Sequence, residues 1–251
     1  MNYGLQLYSV RDAAKADFES TLRQVAEMGY TMVESAGFFG HSAEDVKAML
    51  EHYGLTLCST HTGYNELFNK FEETLDFHKR VGCKNIILPG VMFATKEAID
   101  YSVACINRYQ PIIEAEGMKL HYHNHSGEFL PNKDGLIAED ELARRTNVLF
   151  ELDTFWVYNA GLDPIAIMEQ YRDRLEFIHL KDGISEADSA DGKVYGRSVG
   201  SGAAPVIAVR KKAIEMGLNI VIESEGLDPT GPEEVKRCID FLRELDAKEG
   251  R

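Results

Sequence analysis

The sequence has no apolar run long enough to span a bilayer, and its start, MNYGLQLYSVRD, has no basic segment leading into an apolar one. We therefore expect no membrane contact and no export. Cysteine is sparse: Cys58, Cys83, Cys105 and Cys238 stand far apart with no CxxC pair. That spacing suits reduced, packed thiols in a cytoplasmic protein rather than a disulfide framework. Positive charge is also short, with 27 Lys and Arg against 41 Asp and Glu for a net charge of -14. Nucleic acid, which is bound largely by neutralising phosphates, is a poor partner for such a chain, and a small soluble substrate is the better expectation. No Pro/Gly/Ser-rich linker breaks the chain, so residues 1–251 read as one domain. The first turn, GLQLYS, lacks the glycine pattern of a dinucleotide-binding fold.

What is present is alternation. Eight short strand-like runs, at 3–7, 32–35, 55–60, 85–90, 119–123, 148–153, 176–180 and 219–224, several of them almost wholly apolar, are spaced by helix-length segments. The helices are expected over 17–28, 42–53, 65–81, 95–116, 134–146, 163–172, 203–216 and 231–247. Gly29, Gly54, Gly82, Gly117 and Gly217 follow helices just where a left-handed closing residue is wanted. Eight β-then-α units in a chain of this length predict a (β/α)8 TIM barrel. The one long polar loop, 183–202, follows the seventh strand on the rim where barrel active sites form. It reads either as a lid or as a disordered insertion.

Chemistry collects at the strand ends. His123, Asp153, His179 and Glu223 close the fifth, sixth, seventh and eighth strands. Neighbouring strands lie about 4.8 Å apart, so these four can converge on one divalent ion. Two imidazoles and two carboxylates favour Mn, Zn or Co over Mg, which prefers oxygen and water. Further rim candidates for substrate contact are Gln6, Tyr8, Glu34, His61, His125, Trp156, Lys181 and Glu225, with Glu128 as an added acid or base. Lys181, two residues beyond His179 on the same strand face, is positioned to hold an oxyanion or a substrate hydroxyl. Trp156, the sole tryptophan, reads equally as a wall for a sugar face and as a packing residue.

The segments GLQLYSVRD, STH (59–61), YHNHSGEF, ELDTFW, HLKDG, VGSG and VIESEG together make the chain resemble the xylose isomerase-like barrel superfamily over nearly its whole length. HLKD and YHNH look especially like proteins described as sugar phosphate isomerase/epimerases. The resemblance implies a metal held by Glu, Asp, His and Glu, which carries over to Asp153, His179 and Glu223. At the first position this chain has His123 instead, and three residues after Asp153 it has Trp156 where the epimerases carry a substrate-contacting His.

The implied function is a metal-dependent sugar or sugar phosphate isomerase/epimerase that abstracts a proton next to a carbonyl. Glu223 would serve as ligand and base, with His123 or Glu128 on the opposite face. The alternative is a dehydratase or hydratase acting on a keto-sugar or keto-inositol, suggested by the His123 departure and by YHNH. A small carbohydrate is the expected partner, and a homo-oligomer is left open.

Overall fold

A computed structural model describes residues 1–251. Nine strands form: β1 (Gly4–Gln6), β2 (Met32–Ser35), β3 (Thr56–His61), β4 (Asn85–Leu88), β5 (Lys119–His123), β6 (Leu149–Asp153), β7 (Leu175–Ile184), β8 (Tyr195–Arg197) and β9 (Asn219–Glu223). All but β8 run parallel, in the order β6-β5-β4-β3-β2-β1-β9-β7, and the β6–β7 pairing closes them into the eight-stranded barrel expected from sequence.

Side chains alternate across this wall. Leu5, Val33, Ile86, Leu88, Leu120, Phe150, Leu152, Ile178, Leu180, Ile220 and Ile222 face outward into one apolar cluster shared with the helices. Each such buried aliphatic side chain contributes roughly 1.5–3 kcal/mol. The strength of the fold therefore lies in the layer between strands and helices, which leaves the barrel interior free to carry polar groups.

Helix boundaries follow local chemistry. Asp17, Ser42, Thr95 and Thr230 cap helices Phe18–Met28, Ala43–Tyr53, Lys96–Ala115 and Gly231–Lys248 through their side-chain oxygens. The left-handed glycine stops are present at Gly29, Gly54 and Gly82, with φ of 92°, 67° and 83°. Three expectations change. The 65–81 helix is two, Tyr64–Asn69 and Phe71–Val81, because a break at Lys70 lets Leu67, Phe68, Phe71 and Leu75 all bury. The 134–146 helix shrinks to Ala138–Arg145, since Asn132 ties down the preceding turn by accepting from the Asp134 and Leu136 amides. Short helices Arg11–Ala16 and Thr154–Asn159 were not anticipated.

The polar loop after β7 is built rather than disordered. Strand β7 continues to Ile184 and pairs antiparallel with β8. Asp182, on the outer face of β7, then collects the amides of Gly183, Gly200, Gly202 and Ala204 at 2.8–3.1 Å. This is why HLKDG and VGSG occur together: one carboxylate gathers the loop's N–H groups. A side chain at Gly202 would lie 2.2 Å from Asp182 Oδ1, so the loop closes only around glycine.

Candidate metal centre and active site

Strand register sets His123 beside Glu151, Asp153 beside His179, and Lys181 beside Glu223. All six point into the barrel and all are at most 5% exposed. His123, Asp153, His179 and Glu223, the expected ligand set, each bring a donor atom within 4.8 Å of the others. His179 Nδ1 lies 3.2 Å from Glu223 Oε2 and 3.9 Å from Asp153 Oδ2.

The donor chemistry fits a divalent ion. Asp153 caps the helix that follows it, with Oδ1 accepting from the amides of Phe155 and Trp156 at 2.9 and 3.0 Å. Its Oδ2 is buried, has no hydrogen-bond partner and belongs to the convergent set. An unpaired buried carboxylate oxygen costs on the order of 1–3 kcal/mol, and a cation relieves that cost. Burial pushes the Asp153 carboxyl up to about 7. Glu223 goes the other way: burial opposes its charge, but Lys181 and His179 outweigh it and hold the carboxyl well below the usual range. Burial likewise drives His123 well below an ordinary imidazole, leaving it neutral and able to act as a ligand.

Beneath these ligands lies a layer that sequence reading only partly found. Glu151 Oε2 is 2.8 Å from His61 Nε2, 3.2 Å from His123 Nδ1 and 3.2 Å from His179 Nε2. Glu34 Oε1 is 2.7 Å from His179 Nε2 and 2.6 Å from Gln6 Nε2, and its Oε2 accepts from Ser59 at 2.5 Å. Burial disfavours a charged His61, yet Glu34 and Glu151 lift it to about 10. Glu151 was missed, although its position two residues before Asp153 gives it the same inward parity.

Above the ligands, Lys181 Nζ donates to Glu225 Oε2 at 2.6 Å and to Glu223 Oε2 at 3.1 Å, and lies 4.6 Å from the Trp156 ring centroid. Burial works against its charge, but Glu223, Asp153 and Glu225 raise its pKa. Lys181 is 1% exposed, and two of its three N–H donors are taken by Glu223 and Glu225. Its main partners are these two carboxylates.

The mouth is a cavity of about 360 Å³ lined by Tyr8, His61, His123, His125, Glu223 and Glu225. A larger cleft of about 480 Å³ beside Phe38, Lys70 and Phe77 contains none of the ligand set. Three expectations are corrected. Gln6 and Glu34 are fully buried below the ligands and bonded to each other, out of reach of a substrate. Glu128 lies outside the barrel wall, its oxygens taken by the Tyr122 hydroxyl at 2.7 Å and the His125 amide at 3.1 Å. It therefore cannot oppose Glu223 across a substrate. Trp156 does not line the cavity; its ring lies 5.7 Å from that of His125, which does.

A closed parallel barrel with histidines and carboxylates gathered at its carboxyl rim defines a TIM-barrel protein with a candidate metal site. A profile of the xylose isomerase-like TIM barrel matches residues 22–245, and the chain belongs to that family. Among curated relatives it is 24% identical over 245 residues to "Inosose dehydratase" of Geobacillus kaustophilus (strain HTA426), covering 82% of this chain and 80% of that one. "Inosose dehydratase" of Clostridium beijerinckii is 23% identical over 188 residues, covering 66% and 63%. Among solved structures, a sugar phosphate isomerase/epimerase from Parabacteroides distasonis ATCC 8503 aligns at TM-score 0.80 and 27% identity, over 96% of this chain and 97% of that one. The IOLI protein with a binding zinc atom aligns at TM-score 0.74 and 17% identity over 99% of both chains.

Proposed function

We propose that the protein is a metal-dependent enzyme that removes a proton next to the carbonyl of an unphosphorylated polyhydroxy ketone and then expels water. The observation that carries this reading is the buried, partnerless Asp153 Oδ2 within the His123, Asp153, His179 and Glu223 donor set. A divalent ion held by those four residues would polarise the ketone and acidify the neighbouring C–H. Mn, Zn or Co suits two imidazoles better than Mg does, and zinc in the similar IOLI structure agrees with that preference.

Glu223 is the base. It lines the cavity, and Lys181 keeps it ionised. The C–H electron pair becomes a C=C bond and the carbonyl oxygen becomes an enolate. When the carbonyl re-forms, the C–O bond at the β carbon breaks. Protonated Glu223 gives its proton to the departing hydroxyl, so the net loss is one water. Lys181 is a poor donor for this step because its carboxylate neighbours hold it charged.

Elimination is favoured over isomerisation because Glu128 faces away and strand β5 offers His123 in place of a carboxylate, so the facing pair of carboxylates on β5 and β9 is missing. The inosose dehydratase relatives point the same way. Isomerisation or epimerisation is the second reading, supported by the likeness to the Parabacteroides distasonis structure.

The distribution of charge supports a substrate without phosphate. Barrels commonly hold phosphate on the amides of the loops after the last strands. Here those amides are turned onto Asp182, and the cavity carries Glu223 and Glu225 with no Arg or Lys on its wall.

Incubation of the Mn-loaded enzyme in D2O with ketoses, 3-keto-glycosides and keto-inositols, with and without phosphate, tests the reading by proton NMR. A new vinyl signal from an unphosphorylated ketone is expected. Deuterium at a stereocentre without a vinyl signal would favour the second reading, and exchange of phosphorylated members alone would overturn the substrate class. No exchange by any member despite bound metal would remove the enolisation chemistry.

A further inference from the structure

Two overlapping donor sets share His123 and His179: the rim set with Asp153 and Glu223, and a deeper set with His61 and Glu151. In both shared histidines the two ring nitrogens are divided between the sets. His179 turns Nδ1 to Glu223 at 3.2 Å and Nε2 to Glu151 and Glu34 at 3.2 and 2.7 Å. His123 turns Nδ1 to Glu151 at 3.2 Å, leaving Nε2 for the rim. A neutral imidazole carries one N–H and one lone pair, so it can serve an ion with one nitrogen and a carboxylate with the other. Filling both sets with metal would require both rings to lose a second proton. The deeper set is therefore a layer of hydrogen-bond acceptors and not a second ion site.

We infer that Glu151 is a positioning residue: its Oε2 accepts from His123 Nδ1 and stands 3.2 Å from His179 Nε2, whose shorter bond is to Glu34, so one carboxylate faces the inner nitrogen of both rings and biases which nitrogen each presents to the rim ion. The inference rests on the metal part of the proposed function but not on its reaction. Glu151 is fully buried, and the whole acceptor load falls on Oε2, because Oε1 has no partner. Both imidazoles thereby face one carboxylate on the middle strand, β6, whose neighbours β5 and β7 carry them; His123 is bonded to it and His179 shares its inner nitrogen between it and Glu34. Glu34 touches only one of the two ligands, His179, while His61 braces Glu151 from the opposite side of the barrel. Carboxylates behind metal-bound histidines hold the ring and its tautomer, and their loss typically weakens metal binding roughly 10- to 100-fold.

The direct test uses the wild-type protein. Two-bond ¹H–¹⁵N correlation spectra of the Zn-loaded enzyme should give His123 protonated on Nδ1 and His179 protonated on Nε2, with one Zn per chain. The opposite tautomer in either ring, or two Zn per chain, would overturn the inference. Chelator competition on Glu151→Gln supplies the second arm, with metal affinity expected to fall roughly 10- to 100-fold and the visible bands of the Co-loaded form expected to shift. Glu34→Gln, which removes a comparable buried charge but touches one ligand, should lose less. Equal losses in the two variants, or unchanged affinity in Glu151→Gln, would assign the layer to general electrostatics. Neither arm involves a substrate, so a failure of the proposed reaction leaves both readable, and the NMR arm does not depend on how either variant folds.

Discussion

Lys181 and Glu223 sit side by side in register on β7 and β9, their charged atoms 3.1 Å apart and both side chains buried, with Glu223 lining the cavity. The pair is completed by Glu225 at 2.6 Å and the Trp156 ring at 4.6 Å. Removing one partner of a buried ion pair typically costs about 3–5 kcal/mol, because the other charge is left without compensation. Lys181→Met should therefore lower the thermal unfolding temperature markedly, with a residual turnover above that of a Glu223 variant. A variant as stable as wild type would show that the ammonium is not the counterion these carboxylates depend on.

Glu223→Gln separates proton transfer from architecture. The amide keeps the side chain's size and an oxygen for the metal, but it cannot accept a proton at neutral pH. Turnover should drop about 10²–10⁴-fold while circular dichroism and the cooperativity of unfolding stay as in wild type. Near wild-type turnover would move the base to another residue at the cavity, His125 or Glu225 first, since both line it.

Much of this was legible in the sequence because parallel strands buried on both faces are simple to read. The apolar runs located the eight barrel strands, and strand-end position alone found His123, Asp153, His179 and Glu223. Depth along a strand was harder. Gln6 and Glu34 look like rim residues in sequence, yet barrel stagger sinks them below the ligands, where they bond to each other and Glu34 also accepts from Ser59. Glu128 failed for a different reason. It lies in a short 3-10 turn, Gly127–Phe129, that bends back toward Tyr122 on the outer face of β5, and strand parity does not carry past such a turn. The residues that clasp a loop, such as Asp182, became visible only once Gly200 and Gly202 were beside it in space.

Asp182→Ala tests that clasp. Four amides lose their acceptor at once, and bonds to a charged partner contribute about 1.5–3 kcal/mol each, though not additively. Amide hydrogen exchange across residues 198–204 should accelerate well beyond that of the distant Gly231–Lys248 helix. Unchanged protection in this segment would mean that β8 pairing alone orders the loop.

Glu139 provides a pH-dependent measurement away from the metal centre. It is fully buried in the Ala138–Arg145 helix with neither carboxylate oxygen hydrogen-bonded, and burial, with Glu128 adding to it, holds its pKa well above the ordinary value. A carboxyl whose folded pKa exceeds its unfolded one retains its proton in the native state after the unfolded chain has lost its own. Stability is thus undiminished below the unfolded value of about 4.3 and declines by about 1.4 kcal/mol per pH unit until the folded pKa is reached. Glu139→Gln abolishes this titration. The difference in unfolding free energy between the variant and wild type, followed by urea denaturation from pH 4.5 to 8, should therefore move progressively in favour of the variant as pH rises. A constant offset due to the buried amide is the same at every pH and does not affect the slope. A difference independent of pH would mean that Glu139 ionises in the folded protein as readily as in the unfolded chain.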